Sequence, residues 1–178
     1  MRKLRRILMI AAAMTVLYAM PTMAEMRVRQ NVLNPVDEES ILLPETIKSS
    51  VGKEIAVERS KALASAICVI TNTEEGIIGI YAETAMFIPV DWAAITVYLE
   101  QLNESTNKWV TVETFEKEFT PADTEDGELT KATVSIDVGT QPAGYYYRIR
   151  CIHELEYDNG WYEAKSTKTE GVLLTDIK

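Results

Sequence analysis

Apolar and polar residues alternate along most of the second two thirds of the chain, and that period of two is the signature of strands with one buried face. Along residues 145–154 it sets Tyr145, Tyr147, Ile149, Cys151 and His153 on one face and Tyr146, Arg148, Arg150, Ile152 and Glu154 on the other. The first set reads as core, with the Tyr145 hydroxyl expected to reach backbone near the Pro142-Ala143-Gly144 turn. Residues 94–102 show the cleanest alternation, with Ile95, Val97 and Leu99 against Thr96, Tyr98 and Glu100. A slip of one residue there would turn every apolar side chain to water.

Turn residues divide the remaining pattern. Residues 64–71 and 77–87 flank Asn72-Thr73-Glu74-Glu75-Gly76 as a hairpin, and Pro89 limits the second of them. Residues 94–102 and 108–119 form another around the loop 103–107. A strand over 129–138 turns through 139–144 into the tyrosine-rich strand, and Asp158-Asn159-Gly160 leads into a last strand broken near Gly171. The pattern predicts an all-β fold, a single antiparallel β-sandwich of about seven strands over residues 64–178. Residues 25–63 lack sustained alternation and read as a flexible or irregular segment. Spacing alone allows a short helix over 53–64, and Ile41-Leu42-Leu43 is a cluster able to dock on the domain.

The N-terminus changes the picture from a fold to an address. Arg2, Lys3, Arg5 and Arg6 precede an apolar run from Ile7 to Met20, and Thr22-Met23-Ala24 supplies small residues for a signal peptidase. Residues 1–24 therefore read as a signal peptide, since the run falls short of the roughly 20 residues of a membrane span. The expectation is a secreted, extracellular protein with no stable membrane insertion after cleavage. Leu43-Pro44-Glu45-Thr46 resembles a sortase signal but is followed by Ile47 where glycine is expected.

The whole chain carries a net charge of -9, and removal of residues 1–24 takes away four basic residues and no acidic one, leaving about -13. That balance opposes nucleic acid and anionic lipid as partners. Cys68 and Cys151 both fall at inward positions, so in an exported chain they are expected to form a disulfide. It would close a loop of 84 residues, worth roughly 4 to 5 kcal/mol in a chain-entropy picture.

Candidate chemistry is sparse. His153 is the one histidine, which leaves no histidine-rich zinc site and makes it the sole candidate base for serine chemistry, with no nucleophile-elbow sequence in the chain. Asp123, Asp126 and Glu128 form an acidic loop without helix-loop-helix calcium spacing, and it reads as a solvated loop. No catalytic residue, metal site or cofactor is assigned, and an enzyme is not expected. A candidate binding surface is drawn from Tyr98, Tyr146, Trp161, Tyr162, Arg148 and Arg150, the aromatics able to stack on sugars or anchor a protein. For the two arginines, cross-strand pairing with carboxylates is favoured over an anion site. The register at Gly160 leaves open which face Trp161 takes.

Two resemblances bear on these residues. Cys68 and Cys151 flank Trp92 as the cysteines of immunoglobulin-like domains flank a tryptophan, which implies an immunoglobulin- or fibronectin-III-like sandwich. The residue two before Cys151 is Ile149, where a tyrosine corner would place Tyr. The signal peptide, CVITNTEEGIIGIYAET, DWAAITVYLEQLNESTNKWV and GYYYRIRCIHE also resemble an uncharacterised family of small secreted proteins from Gram-positive, clostridial-type bacteria, a domain of unknown function. That resemblance implies location and fold and supplies no active residues. The function expected is an extracellular binding or interaction module for a glycan, cell-wall polymer or protein partner. The alternatives are a surface component that assembles by pairing edge strands and, third, a small hydrolase.

Overall fold

The computed structural model describes residues 40–55, 60–139, 141–158 and 160–175, all within one compact unit, Glu38–Lys178. The expected signal peptide lies outside the described residues. Nine strands are present among those described: β1 (Ser49–Ile55), β2 (Leu63–Asn72), β3 (Ile78–Val90), β4 (Trp92–Asn103), β5 (Lys108–Phe119), β6 (Leu129–Val138), β7 (Tyr146–Tyr157), β8 (Trp161–Lys168) and β9 (Val172–Leu173). They form two antiparallel sheets, one in the order β1-β2-β3-β6 and one in the order β5-β4-β7-β8 with β9 also against β7. The result is a sandwich.

The alternation explains the core. Ile70 and Ile80 from one sheet meet Ile95, Leu99, Ile149 and Leu155 from the other, all buried. Tyr147 is buried with them, and its hydroxyl donates to the Pro142 carbonyl at 2.8 Å. This is the backbone contact expected of Tyr145, which instead lies exposed ahead of the strand. Gln101 donates to the same hydroxyl at 2.9 Å.

The expected antiparallel sandwich is present, with β1 and β9 added to the seven strands of the pattern. Two expectations need correction. The sandwich begins before residue 64, since Ser49–Ile55 pairs along β2. No helix occupies the described residues of 53–64, where 53–55 complete β1 and Leu63 begins β2. A few apolar side chains at helical spacing cannot outweigh a ladder of backbone hydrogen bonds on an existing sheet. The Ile41-Leu42-Leu43 cluster docks as an irregular segment, bridging Gly171 through Leu42 and packing Leu43 against the core.

The two long sides of the sandwich differ. On one, β1 and β8 nearly touch: a Cβ on Gly52 would lie 2.1 Å from the Lys168 carbonyl oxygen and 2.9 Å from Cys68 Sγ. Only glycine allows that approach. Polar bonds stitch the same side, with the Glu170 N–H donating to Ser50 Oγ at 2.9 Å. Asn72 Nδ2 donates to the Leu173 carbonyl at 2.9 Å and to Thr175 Oγ1 at 2.8 Å. On the other side, edge strands β5 and β6 stand apart over a recess of about 350 Å³ lined by Ile95, Phe115, Val134 and Ile136.

Candidate functional site

The register of the five-stranded sheet sorts the six residues of the expected binding surface. β4 pairs with β7 so that Tyr98 stands opposite Arg150 and Glu100 opposite Arg148, all on the outward face. Tyr146 and Tyr162 share that face by alternation. Trp161 does not, because it pairs with inward-facing Tyr157. Five of the six are thus brought together and one is separated from them.

On that outward face the arginines are occupied. Glu100 accepts from Arg148 Nε at 2.7 Å through Oε2 and from Arg150 Nε at 3.3 Å through Oε1. Arg148 is 4% and Glu100 3% exposed. Arg148 Nη1 also donates to Ser40 Oγ at 2.7 Å. The guanidinium of Arg148 lies 4.5 Å from the Trp109 ring centroid and that of Arg150 4.4 Å from that of Tyr98. A carboxylate shared by two stacked arginines satisfies buried charge that would otherwise be costly. Cross-strand pairing, the favoured reading of these arginines, is what the geometry contains. Tyr162 donates to Glu154 Oε1 at 2.6 Å on the same face.

Trp161 sits at the end of the β7–β8 hairpin, 60% exposed. Lys61 Nζ lies 5.1 Å from its ring centroid. The segment carrying Lys61 is fixed from below by Glu163, two residues along β8. Its carboxylate accepts from Ser60 Oγ at 2.6 Å, from the N–H groups of Lys61, Ala62 and Leu63 at 2.8, 3.2 and 3.1 Å, and from Tyr157 Oη at 2.7 Å. Partial burial works to raise the Glu163 pKa, but these donors outweigh it and hold the carboxyl down at about 2. The same contact pushes Tyr157 up to about 12. Phe87, 63% exposed, flanks the segment through its N–H bond to the Ala62 carbonyl at 2.7 Å. Sequence reading missed Phe87, Lys61 and Glu163. The one local signal was an aromatic side chain two residues before Pro89.

The candidate chemical groups are all engaged. His153 is fully buried, with Nδ1 2.8 Å from Thr84 Oγ1 and Nε2 2.9 Å from Thr167 Oγ1, so it bolts one sheet to the other. Burial pushes its pKa down to about 4, leaving a neutral ring. Both ring nitrogens are spent on threonine hydroxyls, and no substrate can reach them. In the acidic loop, Asp123 accepts from the Thr120 N–H and hydroxyl at 2.7 and 2.9 Å. Asp126 accepts from the Glu128 N–H at 3.0 Å. These are turn-closing contacts.

The expected disulfide is not formed. Cys68 and Cys151 are free, buried thiols that lie against each other and beside Thr167 in the core. Burial pushes the Cys151 thiol well above its ordinary pKa, which keeps it protonated. Inward positions predicted that the two would meet, and they do. Proximity does not by itself oxidise them.

Comparison of the chain with family models, with curated proteins and with solved structures yields no match.

Proposed function

We propose that this is an exported, non-catalytic interaction module that engages an extracellular glycan, wall polymer or protein through the exposed aromatic residues around Trp161. The observation that carries this reading is the preorganised tryptophan: a mostly exposed ring under Lys61, whose segment is anchored by four hydrogen bonds to the Glu163 carboxylate. An aromatic surface fixed before contact loses little conformational freedom on binding. Phe87, also exposed, lies next to the Lys61 segment through its N–H bond to the Ala62 carbonyl.

Export rests on the N-terminal pattern, and the acidic balance favours neutral or basic partners over nucleic acid. Kinship with immunoglobulin- and fibronectin-III-like modules is part of the same proposal. Setting β1 and β9 aside, three strands in the order β2-β3-β6 face four in the order β5-β4-β7-β8. The Tyr147 hydroxyl, bonded to backbone five residues upstream near the start of β7, has the form of a tyrosine corner. It falls four residues before Cys151 and not the two of the immunoglobulin pattern. The resemblance to a family of small secreted proteins of Gram-positive bacteria agrees with this reading and adds no ligand.

Retention of the protein on washed cell walls and on mucin glycans tests the proposal. Saturable retention that is lost in Trp161→Ala, with unchanged thermal melting, is the expected result. Equal retention of Trp161→Ala and parent would remove Trp161 from the contact. No retention on either surface would reject the glycan and wall forms.

A further inference from the structure

Of the sheet edges, β6 is the least guarded. β1 and β8 face one another across the closed side, where Gly52 meets the Lys168 carbonyl. β5 carries a bulge opposite Leu99 and Glu100 and is crowded with Lys108, Glu113, Glu116, Lys117 and Glu118. Bulges and charges are how proteins keep edges from pairing. β6 runs for ten residues without proline, LTKATVSIDV, and its central pairing with β3 is unbroken from Ile78↔Val138 to Ala85↔Lys131. β6 ends its sheet, and a recess lined by Val134, Ser135 and Ile136 runs beside it.

We infer that β6 pairs antiparallel with β6 of a second copy of this chain, about a two-fold axis through Val134. The occupant is identified by the strand's own sequence. In that register Lys131 stands opposite Asp137 of the other copy, and symmetry makes the pair twice. Thr133 then meets Ser135 and Ala132 meets Ile136. Moving the axis one residue toward the N-terminus sets Lys131 opposite Ser135, and one residue the other way sets it opposite Gly139. Only the Val134 axis joins the opposite charges.

Both residues are available for this. Lys131 has a 62% exposed side chain and makes one long contact, 3.5 Å to Glu83. Asp137 is exposed and stands opposite Gly79, which has no side chain to meet it. Pairing would join two four-stranded sheets into one of eight and cover Phe115 and Ile136 beside the recess. This inference stands apart from the aromatic contact at Trp161, which lies on β8 of the other sheet.

Sedimentation velocity over a wide concentration range, on protein purified from a bacterium expressing the full chain, tests it by charge reversal. The parent is expected to dimerise. Lys131→Asp and Asp137→Lys should each weaken dimerisation by about tenfold, by setting like charges opposite. The double variant should recover the parent's affinity, and cooperative melting of each variant keeps the comparison on folded protein. A parent that stays monomeric throughout would overturn the inference. So would single reversals without effect, or a double variant as weak as the singles.

Discussion

The two sides of this sandwich solve the same problem in opposite ways. At β1 and β8 the sheets close until a backbone carbonyl occupies the space of a missing Cβ, and Ser50, Asn72 and Glu163 tie one sheet to the other through side chains. At β5 and β6 they remain apart, joined at the margin by a Gln141 bond to Glu113 at 3.2 Å. Closure consumes polar groups and backbone edges, so the closed side has no strand edge left to pair, and what it presents outward is the exposed ring of Trp161 at its hairpin end. The open side keeps an edge with unpaired backbone groups. Inter-sheet closure and the open strand edge are thus separated across the width of one small domain.

That contrast can be broken most severely at Gly52. Gly52→Val places side-chain atoms where Lys168 and Cys68 already lie, so the closed side must part. The expected loss is about 3 kcal/mol or more in urea unfolding, up to failure to fold. A loss below about 1 kcal/mol would show that the seam yields easily.

Glu163→Ala comes next. It strands the N–H groups of Lys61, Ala62 and Leu63 and the Tyr157 hydroxyl, while Ser60 keeps the Leu63 carbonyl at 2.9 Å, and an expected loss of about 2 to 4 kcal/mol follows from the unmet donors. It should also loosen Lys61 from Trp161, readable as a red shift and easier quenching of tryptophan fluorescence. Unchanged stability would remove the carboxylate from its role as clamp.

An effect of similar size, but dependent on pH, belongs to His153, which joins the sheets at mid-width. Its folded pKa of about 4 lies below the unfolded value of 6.5, so the folded state binds fewer protons. Its contribution is complete above about pH 6.5 and declines as pH falls toward 4, by about 3 kcal/mol in total. Glu163, with its folded pKa at about 2 against 4.5, adds a further decline from pH 4.5 downward. Urea titrations from pH 7 to 4 should show the first slope in the parent and lose it in His153→Gln. A parent with flat stability across that window would contradict a buried neutral ring.

β4, β6 and β7 were the most legible strands in the sequence. β4 and β6 alternate cleanly because one face is core and the other meets solvent or polar neighbours, so their inward residues could be named in advance. The inward places of Tyr147, Cys151 and His153 were legible for the same reason. The closed side was not. β1 turns Val51 and Ile55 outward and buries Ser50 and Gly52, which inverts the usual pattern and reads as irregular chain. The clamp joins Glu163 to N–H groups about a hundred residues earlier, and backbone donors leave no mark in a sequence. The thiol state of Cys68 and Cys151 was misjudged because position encodes proximity and not oxidation. Arg148 and Arg150 were correctly weighed toward pairing, although Glu100 could be singled out only once the β4–β7 register was known.

Hydrogen exchange followed by mass spectrometry at low and high protein concentration tests the separation of the two sides most directly. Amides of β1 and β8 should exchange only with global unfolding and at the same rate at both concentrations. Amides of 130–138 in β6 should exchange faster when dilute and gain protection when concentrated. Protection of β6 that is independent of concentration, or β1 and β8 amides that open before the rest, would contradict the account.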